Sequence, residues 1–156
     1  MKTILAPVDF SDVSEAVIST AQLLAEAVHG RIVIISIVQP PVLTSDFAPM
    51  TEDIGEILAL REKTAERQLS RLATQLRTPT LPVETVQLTG LPAPLILEQA
   101  QKDDADYIVM GSHGHTALYD LIVGSTTHQV LKKASCPVMI VPPPMKKATR
   151  RKTLEG

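Results

Sequence analysis

The chain has 156 residues, of which 44% are apolar, and its 15 Lys/Arg against 17 Asp/Glu give a formal charge of −2. That length fits one domain able to bury roughly two thirds of its unfolded surface, and the apolar content excludes an intrinsically disordered chain. Aromatics are 3% and Trp is absent, so the core must be aliphatic, and the near-neutral charge gives neither nucleic acid nor a membrane a strong hold on the whole molecule.

The first strand is expected in "TILAPV" (3–8). Ser11 then has the chemistry of a helix N-cap. After it Val13, Ala16, Val17, Thr20, Ala21, Leu24, Ala27 and Val28 recur at spacings of three and four, and Gly30 supplies a stop. The second strand is "RIVIISIV" (31–38), followed by the proline-rich "QPPVLTSDFAPM" (39–50), expected as a surface loop near the strand ends. Over residues 53–77, Ile54, Ile57, Leu58, Arg61, Ala65, Leu69, Leu72 and Leu76 mark one face of a long helix. "PVETVQL" (82–88) alternates in polarity and belongs at a sheet edge, and "APLILEQAQKD" (93–103) is a helix with proline in its first turn. "DYIVM" (106–110) and "PVMIV" (137–141) are strands, separated by a helix over about 125–134.

Four of these strands are continuously apolar rather than alternating, the pattern of a parallel sheet covered on both faces. Strands alternating with helices predict an open doubly wound α/β sheet, with one domain over residues 1–142. Residues 143–156 form a proline and basic tail, expected to be disordered. Its last eleven residues, "KKATRRKTLEG", hold five basic side chains and one Glu, leaving 10 basic and 16 acidic in the body. No aromatic is interleaved with those basic residues, so a solvated terminus is favoured over a nucleic-acid or lipid contact. No internal repeat is evident.

No run approaches the ~18 apolar residues of a membrane span, and Pro7 and Asp9 interrupt the opening residues before they could form a secretory signal. The single Cys136 excludes an internal disulfide and fits a reducing compartment, so the cytoplasm is the expected location. Cys136 itself reads as a small buried side chain rather than a nucleophile.

Three of the seven glycines, Gly111, Gly114 and Gly124, fall within "MGSHGHTALYDLIVGSTTHQV" (110–130), and Gly124 is followed by Ser125, Thr126 and Thr127. In doubly wound sheets ligands bind beyond the carboxyl ends of the strands, where neighbouring connections run to opposite sides. A strand order of 3-2-1-4-5 puts that point between the first and fourth strands, beside both Asp9 and the glycines. Gly111 and Gly114 would permit positive φ and clear Cβ atoms from a phosphate's path. The helix opening at Gly124 would offer free N–H groups and a positive dipole end to an anion. The competing reading is that each glycine is only structural. The Walker and dinucleotide fingerprints are both missing, and spacing by itself stops at a candidate phosphate site. A metal site of His113, His115 and His128 is disfavoured, since no carboxylate or thiol pattern supports it.

The pattern Gly111-Ser-His-Gly114, nine residues, then Gly124-Ser125 resembles the G-x2-G-x9-G-[S/T] motif of universal stress proteins of the nucleotide-binding type. "ILAPVDFSDVSEAV" and "CPVMIVP" are similar to that family's first strand and helix and its last strand, so the resemblance covers residues 1 to about 142. It implies a Rossmann-like five-stranded parallel sheet of order 3-2-1-4-5 with helices on both faces. It also implies that Pro7, Val8 and Asp9 contact adenosine, with Asp9 at the ribose or adenine edge. Ile37 would meet the adenine through its backbone, Met110 would border the base, and Gly111, His113, Gly114, Gly124, Ser125, Thr126 and Thr127 would surround the phosphates.

The expected ligand is ATP or another adenine nucleotide. The motif has no lysine of the P-loop kind, so a divalent cation (Mg or Mn) is expected to be held mainly by the phosphates. The last strand (137–141), short, apolar and at a sheet edge, is a liability unless covered, and the resemblance implies a homodimer through its antiparallel pairing. The expected role is a nucleotide-dependent sensor or partner-binding module in stress response. The alternatives are a slow ATP hydrolase or autophosphorylating enzyme, with Ser125, Thr126 or Thr127 as acceptor, and a purely structural dimer.

Overall fold

The continuously apolar runs lie side by side in one parallel sheet. The computed structural model describes residues 1–42, 51–113 and 123–144. In chain order the elements are β1 (Thr3–Val8), α1 (Ser14–Ala27), β2 (Arg31–Val38), α2 (Thr51–Leu76), β3 (Val83–Thr89), α3 (Pro92–Lys102), β4 (Tyr107–Gly111), α4 (Ser125–Lys133) and β5 (Val138–Val141). The strand order is β3-β2-β1-β4-β5, as expected, with β3 and β5 at the edges. Gly114, His115, most of the proline-rich connection and the basic tail lie outside the described residues.

Strand side chains alternate between faces, and here both faces are buried. Ile4, Ala6, Ile32 and Ile34 pack with Val17 and Ala21 of α1 and Leu69 and Ala73 of α2. Leu5, Val33, Ile35 and Ile108 pack on the opposite side with Ile96 of α3 and Val130 of α4. Fully burying each such Ile or Leu is worth roughly 1.5–3 kcal/mol, against about 0–1 for an exposed ion pair. The aliphatic layers therefore dominate stability.

Several local expectations are corrected. Ser11 does not cap α1: the cap position is Val13, with no side-chain cap bond. The Ser11 carbonyl instead accepts from the Ser14 N–H (2.9 Å). Asp9 Oδ1 accepts from the Ser11 N–H (3.0 Å) and the Ser14 hydroxyl (3.3 Å). Nor does Gly30 supply the left-handed residue that ends α1. His29 does, at φ 52°, while the Gly30 N–H reaches back to the Ala25 carbonyl (2.8 Å) in a Schellman-type closure. Gly30 is needed for space, because a Cβ there would lie 2.6 Å from the Lys2 carbonyl oxygen.

Ile57, expected on the buried face of α2, is 45% exposed. The physical reason is length: 26 helical residues span about 39 Å and the eight of β2 only about 26 Å. The first turns of α2 overhang the carboxyl end of the sheet.

At the opposite end of the sheet, Asp106 ties β1 to β4. Its N–H donates to the Thr3 carbonyl (2.9 Å). Its carboxylate accepts from the Thr3 N–H (2.9 Å) and the Lys2 ammonium (2.6 Å). The hydrogen bond from Lys2, then that from Thr3, holds the Asp106 carboxyl below the usual carboxylate range, and the same bond raises Lys2. A carboxyl depressed in the folded state stabilises it above the unfolded pKa of about 4, and loses that contribution as pH falls through the folded value. The raised lysine keeps its share until pH passes about 10. Asp106→Asn should therefore lower the urea midpoint at neutral pH and lose that deficit below about pH 4, as denaturation of both proteins across that range will test.

Candidate functional site

A proline decides where the sheet opens. The Asp106 N–H bonds to the Thr3 carbonyl and the Arg31 N–H to the Lys2 carbonyl. Odd-numbered residues of β1 therefore address β4, and even-numbered ones β2. Pro7 has an odd number, so the donor it lacks is one that β4 would have used. Pairing of β1 with β2 runs from Thr3 to Val8, whereas pairing with β4 is limited to Ile4 and Leu5. Above Leu5 the two strands part, α1 leaves β1 toward one face and α4 leaves β4 toward the other. This is the switch point of the fold.

The cleft there has a volume of about 1200 Å³, above the ~300–1,000 Å³ of most small-molecule sites. Pro7, Val8 and Asp9 line it from the end of β1, and Ile37 from the end of β2. Met110, Gly111 and His113 line it from β4 and its exit, and Gly124, Ser125, Thr126 and Thr127 from the start of α4. The sequence-predicted site residues that are described thus share one cavity. Gly114 belongs to the undescribed stretch between β4 and α4.

Gly124 occupies the cap position of α4 at φ −66°, ψ 162° and brings no capping side chain. The first turn, Gly124–Thr127, borders the cleft with no side-chain cap bond and with the positive end of the helix dipole behind it. The turn is held against β4 by two bonds: Gly124 N–H to the Ser112 carbonyl (2.7 Å) and Thr127 hydroxyl to the Gly111 carbonyl (2.9 Å). Thr127 is buried, and its hydroxyl donates to the Gly111 carbonyl rather than into the cleft. Ser125 is exposed and Thr126 half-buried. The hydroxyl of Ser112, itself buried, is 2.9 Å from Nδ1 of His113 and fixes the ring.

Gly111 does not adopt positive φ; among the described glycines only Gly90 does. What Gly111 provides is room for α1, because a Cβ would lie 2.6 Å from Cγ1 of Val13. The left-handed residue at the crevice is Phe10, at φ 60°. Such a conformation is an outlier for a bulky side chain. The turn held by Asp9 carries it, with the ring packed against the α1-side core.

Sequence reasoning missed one wall. Leu60, Arg61, Thr64, Ala65 and Gln68 of the overhanging part of α2 line the same cleft, as do Pro92 and Ile96 of α3. A signal was present: Arg61 is a charged residue on an otherwise apolar helical face. Cys136 is half-buried on the α3/α4 side, where burial raises its thiol pKa. Among the described residues no group of three or more His, Cys, Asp or Glu could hold a metal ion. No helix among them is long and apolar enough to cross a membrane.

Comparison with known proteins places the architecture in a wider set. The profile described as "Universal stress protein family" matches residues 1–142. The universal stress protein MJ0531 of Methanocaldococcus jannaschii is 33% identical over 146 residues, covering 93% of this chain and 84% of its own. The solved structure of the universal stress protein UspA from Lactobacillus plantarum is 28% identical with a TM-score of 0.73, over 90% of this chain and 97% of its own. A universal stress protein from Archaeoglobus fulgidus, solved in complex with dAMP, is 24% identical with a TM-score of 0.61, over 90% and 97% of the two chains. At that identity the likeness is one of fold.

Proposed function

The chain belongs to the universal stress protein family, and on that premise we propose that it binds an adenine nucleotide in the cleft between β1 and β4. What carries the reading is the meeting, in one cavity, of the ends of β1 and β2 with the uncapped start of α4. The base lies against Ile37 and Met110, and the ribose hydroxyls reach Asp9. The phosphates lie along Gly111, His113 and Gly114 to the amides of Gly124–Thr127. The dAMP complex of the Archaeoglobus fulgidus relative supports the ligand class.

ATP is the ligand proposed, with Mg or Mn carried mainly by its phosphates. Asp9 is the only carboxylate among the described cleft residues, and Oδ1 already holds the turn before α1. The protein works as a nucleotide-dependent sensor or partner-binding module in the cytoplasm. Calorimetric titration with ATP, AMP and GTP, with and without Mg, tests this: ATP should bind, and GTP far more weakly. An absence of heat at millimolar ATP, together with an unchanged thermal midpoint, would remove the reading.

The homodimer forms through β5. The Ile108 N–H bonds to the Pro137 carbonyl and the Ser112 N–H to the Val141 carbonyl. Odd-numbered residues of β5 thus serve β4, while Val138 and Ile140 turn their backbone groups to the open edge. Such an edge pairs readily with a second strand. Ile140→Pro removes an outward donor and no β4 bond, so sedimentation should change from twice the chain mass to the chain mass. A wild-type protein that sediments as a monomer would refute the interface.

A further inference from the structure

Arg61 is the only lysine or arginine among the described residues that line the cleft. It stands on the part of α2 that overhangs the sheet, and its Nη1 donates to the Gln39 carbonyl (3.4 Å) just beyond β2. That tether fixes which end of the cleft the guanidinium serves. Order β2-β1-β4 puts β4 two strand spacings from β2, about 10 Å, and α4 begins beyond β4. The cation is therefore held at the end of the cleft opposite the helix amides.

Resting on the nucleotide reading above, we propose that Arg61 covers the free face of the bound base and sets affinity for the nucleoside rather than for the phosphates. Ile37 and Met110 pack with the α3/α4 side of the sheet, whereas α2 lies on the other side, its Leu69 and Ala73 packing with α1. A base at the end of β2 is thus bordered by aliphatic groups from one side and by Arg61 from the other. A planar guanidinium stacks on a π face and gains cation–π energy there. Among the described cleft residues Phe10 is the one Phe, Tyr or Trp, and it is packed against the α1-side core, while His113 stands at the exit of β4.

Arg61 is exposed, so Arg61→Ala should fold as the wild type does. The experiment compares wild type and Arg61→Ala by calorimetry with three probes: ATP, adenosine and inorganic tripolyphosphate. The expected result is about three- to tenfold weaker binding of ATP and adenosine alike, with tripolyphosphate unchanged. Weakened ATP and tripolyphosphate with unchanged adenosine would make Arg61 a phosphate contact and overturn the inference, as would no change with any probe. No ATP binding by the wild-type protein would remove the site itself, and the inference with it.

Discussion

Gly124→Val should weaken ATP binding about a hundredfold or more, the equivalent of losing two charge-assisted hydrogen bonds, while the protein stays folded. Gly111→Ala should instead lower the stability of the fold. A Cβ on Gly124 meets only ordinary contacts, 3.5 Å to the Ser112 carbonyl oxygen and 3.8 Å to the His113 Cα. Its φ and ψ are open to any residue, so replacing glycine at this cap should cost no more than about 1 kcal/mol. The branched side chain would, however, stand at the mouth of the amides that the phosphates must reach. At Gly111 the space is already taken by Val13, with Cγ1 2.6 Å from an added Cβ. The start of α1 would have to move, at about 1–3 kcal/mol. Urea denaturation and ATP calorimetry on both variants separate the two roles. Wild-type affinity in a folded Gly124→Val protein would sink the phosphate placement.

That contrast shows what can be read from a chain and what cannot. The parallel sheet was legible because the runs at β1, β2, β4 and β5 are apolar without alternation, as strands covered on both faces are, whereas its strand order came only from the family resemblance. The resemblance of Gly111-Ser-His-Gly114 and Gly124-Ser125 to a known motif pointed to the residues that line the cleft. It did not reveal why each is present. A glycine looks the same whether it serves φ, close packing or ligand access, and Gly30 and Gly111 both serve packing. The left-handed positions fell instead on Phe10, His29 and Asp104, where the chain offers no glycine. Pro7 was legible as a strand residue, but its effect depends on which neighbour its missing donor would face, a matter of register. Arg61 was visible as a charge out of place on an apolar helical face. Its partner Gln39 is 22 residues away, and only the overhang of α2 brings them together.

Turnover of ATP should be far below the ~1–100 s⁻¹ typical of kinases. Fast phosphoryl transfer needs a group that takes a proton from, or orients, the attacking oxygen, and cations that meet charge as it develops. Asp9, the only carboxylate among the described cleft residues, is at the end of β1 with Oδ1 holding the Ser11–Ser14 turn. In the proposed binding mode it serves the nucleoside. Arg61 is tied to Gln39 just beyond β2, a strand that lies two strand spacings, about 10 Å, from β4. The Thr127 hydroxyl donates a hydrogen bond to the Gly111 carbonyl, so autophosphorylation there would cost that bond. Helix amides would stabilise phosphate in the ground state as well as in the transition state, and uniform binding of that kind does not raise a rate. Among the described cleft residues His113, whose Nδ1 is 2.9 Å from the Ser112 hydroxyl, is the candidate base on the proposed phosphate side. A phosphate-release assay on protein freed of contaminating ATPases decides the matter. Turnover above about 1 s⁻¹, abolished by His113→Ala, would overturn the sensor reading and make the protein an enzyme.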